Sequence, residues 1–373
     1  MTIFIAFLFA GGRARAGEIR GRVVMGERPA AGVTVAAVPY ETPYEEARRQ
    51  ARGGDDPAPS ASAVSGPDGT FALPVPAEPS RRFRVRFGGG GAAPAMLDGV
   101  FESTESADVG EHLLQKGEAL AGGVFDPSGA PVAGAEVLLV TGGDRDDSEL
   151  AATVTRTRTG ADGSFRFEAN SPGGRRLTVL AAGYAPWSLP EGRSGAFSGR
   201  ITLAPGVAIA GRVKPLKGRS AAGAVVRVEG AVATRWFAVS EDGSFAMSDA
   251  PRGKVSLVAD AGDAGWGEAA GVVLPLPEGR NVTIPLASPA VLEGRVVDAK
   301  SGRAVPGATI ETQSGLFVRT ARSGPDGRYR LAGLPPRAFR LSVDESRYVP
   351  FVKRDVAVSP GETRKFDAPL TLA

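Results

Sequence analysis

Cysteine is absent from all 373 residues. Its absence excludes a disulfide framework, a thiol nucleophile, a thiolate metal centre and a lipid anchor on a cysteine behind a signal. Histidine occurs once, as His112. One imidazole cannot build a His-x-x-Glu or His-Glu-x-x-His zinc signature, and it denies a Ser-His-Asp arrangement to most of the chain. Flanked by Leu113 and Leu114, His112 is read as structural. No phosphate loop or dinucleotide fingerprint appears. Lysine is scarce, seven residues against 37 arginines, and both signs of charge are interspersed to a net +3. That balance makes no case for nucleic acid or for a membrane surface. No apolar run reaches the roughly 20 residues that a membrane helix needs.

The first residues are the most apolar. Thr2 to Ala10 form a short hydrophobic core, followed by small residues and an Ala14-Arg15-Ala16 triplet ahead of Gly17-Glu18. This resembles a secretory signal over residues 1–16 and points to export, with residues 17–373 as the mature chain. No basic residue precedes the hydrophobic core, so either the start lies upstream or the segment is a plain apolar terminus. Removing residues 1–16 takes away two arginines and no acid, which lowers the net charge from +3 to +1.

What the chain does have is one pattern written four times. An apolar residue, Gly and Val alternate in Ile19-Gly21-Val23, Leu120-Gly122-Val124, Ile209-Gly211-Val213 and Leu292-Gly294-Val296. A Gly-led strand follows at Gly32-Val33, Gly134-Ala135, Gly223-Ala224 and Gly307-Ala308. Later an Asp-Gly pair stands two residues before an aromatic: Asp68-Gly69-Thr70-Phe71, Asp162-Gly163-Ser164-Phe165, Asp242-Gly243-Ser244-Phe245 and Asp326-Gly327-Arg328-Tyr329. The opening glycines are 101, 89 and 83 positions apart. Units of that size can each bury a core without a staple.

Period-two alternation puts the apolar residues on one face of each strand, and the opening glycine leaves room on that face for a neighbouring chain or a large side chain. Asp-Gly fits a hairpin turn, since Gly tolerates positive φ and Asp accepts hydrogen bonds from nearby amides. Many short strands with one apolar face predict an all-β chain of four tandem antiparallel β-sandwiches, Ig-like or transthyretin-like. The expected boundaries are 17–115, 116–204, 205–287 and 288–373. Short joints between them predict a semi-rigid array. Residues 41–51, with Glu45 four positions before Arg49, suggest a short exposed helix. With the following Gly53 to Pro59, and like residues 142–150, they are read as a surface loop.

These residues resemble the carboxypeptidase regulatory-like domain, a transthyretin-like β-sandwich. Gly122-Gly123-Val124, Ala133-Gly134-Ala135, Asp162-Gly163-Ser164-Phe165, Pro172-Gly173 and Gly183-Tyr184 carry the resemblance most fully. The fourth copy follows with Pro306-Gly307-Ala308 and Asp326-Gly327-Arg328-Tyr329, while the first and third are looser. The resemblance implies a non-catalytic module, since in metallocarboxypeptidases this domain is an appendage beside the zinc-bearing one. A related sandwich family in bacterial surface proteins forms a Lys to Asn crosslink. The equivalent strands here offer Arg22, Gly123, Arg212 and Arg295, so no such crosslink is expected.

The remaining candidates are binding residues. Trp187, Trp236 and Trp266 either stack on sugar rings or pack in cores and joints. Arg82, Arg84 and Arg86 alternate with Phe83, Val85 and Phe87, placing three cations on one strand face, which either meets an anionic polymer or is a solvated face that protects an edge. Asp55-Asp56 and Asp146-Asp147 lie in polar loops, and the Asp-Gly turns lack the further oxygens that calcium needs. No metal, cofactor or catalytic residue is expected. The sequence therefore predicts an exported bacterial-type scaffold or adhesion protein of the envelope, with an envelope protein or polysaccharide as partner. The alternatives are a carbohydrate-binding protein and, third, a hydrolase using carboxylates.

Overall fold

A computed structural model describes residues 17–75, 82–97, 101–102, 106–141, 153–171, 175–189, 197, 199–229, 235–314, 317–345 and 347–372. The signal-like segment 1–16, the loop 142–150 and the Pro172-Gly173 turn lie outside them. The chain divides into two compact units. The first comprises residues 1–40, 57–118 and 169–172, and the second 41–56, 119–168 and 173–373.

The described chain is almost entirely β, with one α-helix, α1 (Pro43–Ala51). In the first unit the strand Glu18–Met25 pairs with Thr70–Pro74. A second sheet sets Thr34–Pro39 between Ala61–Val64 and Arg82–Gly89, and the last of these also pairs with Ala92–Met96. Ile19, Val23, Val35, Phe71, Leu73, Val85 and Phe87 are buried together between the sheets. They are the alternate residues of their strands, as the pleat requires.

Among the described residues, the second unit holds three further large buried apolar clusters. They draw on residues 124–203, 207–286 and 290–370. In each, the Gly-x-Val strand (Glu118–Phe125, Val207–Lys214 or Ala290–Asp298) pairs with the strand that carries the aromatic. Within the 207–286 stretch the two sheets merge into one of seven strands, because Trp266–Leu274 pairs along its length with Gly253–Asp260 and, at its first two residues, with Val282–Ala287.

Two details depart from the sequence-based picture. The sheets are not purely antiparallel: each Gly-x-Val strand runs parallel to the closing strand of its stretch. Ile19 faces Ala107, Val124 faces Ile201, Gly211 faces Val282 and Val296 faces Ala368. The Asp-Gly turn is also not a hairpin. Ala61–Val64 and Thr70–Pro74, on either side of Asp68-Gly69, belong to different sheets, so the turn carries the chain across the sandwich.

The reason for the recurrent spacing lies at that crossing. The Val of each Gly-x-Val donates its amide to the carbonyl of the Asp-Gly glycine: Val23 to Gly69 at 2.9 Å, Val124 to Gly163 at 2.9 Å, Val213 to Gly243 at 2.8 Å and Val296 to Gly327 at 2.8 Å. These turn glycines have φ between 75° and 85°, a region closed to most side chains. The two motifs are thus the two halves of one contact.

Candidate interaction site

The recurrent carboxylates are committed to turns. Asp68 Oδ1 accepts from the Thr70 amide at 3.1 Å and from its hydroxyl at 2.7 Å. Asp162 does the same with Ser164, and Asp242 with Ser244. The hydroxyl bond, followed by the amide bond, holds all three carboxyls below their usual pKa. Asp326 accepts from the Arg328 amide and pairs with the Arg328 guanidinium at 3.3 Å, with no hydroxyl available at that position. Among the described residues no three His, Cys, Asp or Glu side chains gather as a metal site would require.

A buried hydroxyl three residues before the Asp was not singled out in the sequence. Ser65 donates to the Ala30 carbonyl and accepts from the Val33 amide. Thr159 bridges Val132 and Ala135, and Ser323 bridges Val305 and Ala308, in the same way. The third stretch has Val239 there, and its Ala224 amide bonds to the Ala221 carbonyl instead. The signal that would have found this feature is the recurrence of Ser or Thr at that offset in three copies out of four.

The tryptophans do not form one platform. Trp187 is half-buried, pairs across its sheet with Val179 and packs on the 124–203 core. Trp236 and Trp266 come together on the outer face of the sheet that contains Val258. The Arg227 guanidinium lies 4.2 Å from the Trp236 ring centre, and that of Arg337 lies 4.9 Å from the Trp266 ring centre, geometries that gain cation–π attraction. Trp266 is only 8 % exposed, whereas Trp236 is half-buried.

The three arginines differ in exposure. Arg82 lies over the Tyr40 ring at 4.8 Å and Arg84 is half-buried, so only Arg86 is exposed. Ala36, opposite Arg86, is buried, which shows that side chains on this face cover the sheet. His112 packs its ring 5.6 Å from that of Phe87, in the closing strand of the first sandwich.

Segment 41–56 is where the structure brings most chemistry together. The helix is real, but it is not the exposed, self-paired helix of the sequence reading. Thr42 and Glu45 form a reciprocal capping box, which occupies Glu45. Arg49 instead pairs with Glu41 at 2.9 Å and Asp56 at 3.0 Å. Ala47 is 2 % exposed. Within the second unit, Arg156 meets Asp56 at 2.6 Å, Glu46 at 3.1 Å and Glu136 at 3.6 Å. Burial alone would lower the Arg156 pKa, but Asp56 and Glu46 outweigh it and raise it. The Tyr44 hydroxyl donates to the Gly223 carbonyl at 2.9 Å. Its ring lies so close over Gly262 that a Cβ there would meet it at 2.8 Å. The Arg319 guanidinium lies 6.0 Å from that ring, and its Nη2 donates to both Asp260 carboxylate oxygens, at 2.8 and 2.9 Å.

No curated protein matches the chain. Among solved structures, the Bacillus anthracis TIE protein is 13 % identical over 95 % of this chain and 73 % of its own, with a TM-score of 0.20. BcpA, the major pilin subunit of Bacillus cereus, is 12 % identical over 69 % of this chain and 100 % of its own, also at 0.20. A candidate carbohydrate-binding protein from Bacteroides uniformis is 19 % identical, but only 22 % of this chain aligns, spanning 40 % of that one, at 0.20. At such scores the likenesses do not extend to function. Two stretches that carry the Gly-x-Val and Asp-Gly-x-aromatic contacts, residues 119–205 and 291–371, match the carboxypeptidase regulatory-like domain, and in these stretches the chain carries that domain.

Proposed function

We propose that the chain is an exported, non-catalytic scaffold or adhesion module of a bacterial envelope, with an envelope protein or polysaccharide as its partner. The observation that supports this most is the use made of its recurrent polar groups. Asp68, Asp162 and Asp242 spend their carboxylates on turn hydrogen bonds, and Ser65, Thr159 and Ser323 spend their hydroxyls inside the sandwiches. Residues engaged in this way hold a fold and are withdrawn from acid-base work. Among the described residues no helix is long and apolar enough to cross a membrane.

The test has two arms. The full chain, expressed with residues 1–16 in a Gram-negative host, should be recovered outside the cytoplasm with those residues removed. The recovered protein should then bind a member of a panel of envelope polysaccharides and envelope protein extracts. Retention in the cytoplasm of an uncleaved chain overturns export, and hydrolysis of a panel member overturns the non-catalytic reading.

The second reading, carbohydrate binding, is favoured by the area that Trp187 and Trp236 keep accessible. It predicts saturable glycan binding that is lost in Trp187→Ala or Trp236→Ala. Trp266, beneath Arg337, contributes to such binding only by supporting Trp236.

A further inference from the structure

Segment 41–56 is better built for holding on and letting go than for permanent packing. Among its described side chains only Ala47 is deeply buried, and its only aromatic is Tyr44. What fastens it to the rest of the second unit is mostly charge. Arg156 sits between Glu46 and Asp56, and one hydrogen bond runs from Tyr44 to Gly223. Glu46 and Asp56 remain 42 % and 51 % exposed, so water and salt reach both pairs.

The segment also carries its own internal structure. The Thr42–Glu45 capping box, the Arg49 pairs with Glu41 and Asp56, the Arg49 bond to the Gly54 carbonyl and the Gln50 bond to Glu46 all lie inside it. Undocking therefore breaks few bonds and leaves the element largely formed, which is the condition for two discrete states. The docked helix touches groups from three stretches of the second unit: Arg156 from 124–203, Gly223 and Gly262 from 207–286, and Arg319 from 290–370.

We propose that residues 41–56 form a salt-releasable strap across these three stretches, and that its release bares a face centred on Arg156, the Gly223 carbonyl and the Asp260–Arg319 pair. This inference does not depend on the partner or compartment proposed above.

The absence of cysteine makes the test direct. A single Ala47→Cys in the full chain places a thiol beneath the strap, and Glu45→Cys places one on its exposed side as reference. In dilute buffer, Ellman's reagent should label position 47 at least about tenfold more slowly than position 45. Raising salt to about 1 M, where screening acts within about 3 Å, should bring the two rates several-fold closer. Arg156→Met should do the same without salt, with the thermal midpoint of the sandwiches retained. Equal labelling of both positions in dilute buffer shows that the strap does not dock and overturns the proposal. Protection that survives both salt and Arg156→Met shows a permanent contact and overturns it equally. Where Ala47→Cys fails to fold, trypsin cleavage of the unaltered chain after Arg48, Arg49 and Arg52 gives the same two readings.

Discussion

Gly294 stands where an added Cβ would lie 1.8 Å from the Phe366 carbonyl oxygen, and Gly211 where it would lie 2.4 Å from both the Phe245 ring and the Val282 carbonyl. Gly211 is thus squeezed between the aromatic of the Asp-Gly motif and the backbone of the parallel closing strand, and Gly294 lies against the backbone that joins the parallel strands Thr363–Lys365 and Ala368–Leu372. Gly294→Ala or Gly211→Ala should cost about 3 kcal/mol or more, the upper range for overpacking, because backbone cannot step aside. Gly88→Ala, in open space at negative φ, should change the denaturation midpoint little. Thr159→Val keeps the shape of the buried staple but removes its donor and acceptor, leaving the Val132 carbonyl and Ala135 amide without that partner. Urea titration should show a loss of about 1–3 kcal/mol. The turn aspartates set an acid limit. Their pKa values are depressed in the folded chain, so their contribution is complete above the unfolded carboxyl pKa of about 4 and is lost as pH falls through the folded values. Asp249 acts in the opposite sense: burial raises its pKa against the pull of Arg235, so its contribution declines as pH rises through that raised value. Replacing Asp68, Asp162 and Asp242 together by Asn should lower the midpoint at neutral pH and flatten its decline in acid. A decline that keeps its slope in the triple variant assigns the acid limit elsewhere.

At the scale of elements, the sequence was legible wherever the information is local. Alternation in Ile19-Gly21-Val23 or Phe165 and Phe167 names the buried face of a strand without reference to anything distant. Pairing partners are another matter. Nothing around Asp68-Gly69 distinguishes a turn between neighbours in one sheet from a turn that crosses to the other, since both need positive φ at Gly and an acceptor at Asp. The parallel pairing of Val296 with Ala368 joins residues 72 positions apart, and no local pattern announces it. The candidate site was the least legible part. The sequence of α1, Pro-Tyr-Glu-Glu-Ala-Arg-Arg-Gln-Ala, has an apolar stripe made only of Tyr44, Ala47 and Ala51 on an otherwise charged helix, and so looks solvated. It docks through charge and that narrow stripe, whose two alanines add too little apolar area to announce a buried face. Trp236 and Trp266, 30 positions apart, likewise meet only because their strands share a sheet face. One consequence can be tested on the helix alone. Thr42→Ala removes the hydroxyl half of the capping box, leaving Glu45 to accept from the backbone amide of residue 42, and should cost about 1 kcal/mol of helix stability, seen as faster amide exchange over residues 44–51 with the sandwich strands unchanged.

At the scale of the whole molecule, the question is whether neighbouring sandwiches within the second unit unfold independently. A solenoid-like chain behaves as a sum of its repeats plus the interfaces between neighbours, so one strong interface is enough to fuse two repeats into one cooperative body. The stretches 207–286 and 290–370 have such an interface. Asp260, 3 % exposed, accepts on both oxygens from Nη2 of Arg319, itself 13 % exposed at its side chain. Arg337 from the later stretch lies over Trp266 of the earlier one. Removing Arg319 would strand the buried Asp260 carboxylate without its guanidinium, at a cost of about 3–5 kcal/mol. That is a large fraction of the 5–15 kcal/mol that usually holds a domain folded. The two stretches should therefore lose amide protection together, with one denaturant dependence for the strands around Leu257 and Leu341. In Arg319→Ala the strands should exchange along separate curves, and adding Arg337→Ala should widen the gap. Asp260→Asn combined with Arg319→Ala should recover part of the loss, because the stranded charge has gone. Separate curves in the unaltered chain would show that the Asp260–Arg319 pair holds side chains in place without coupling the sandwiches that carry them.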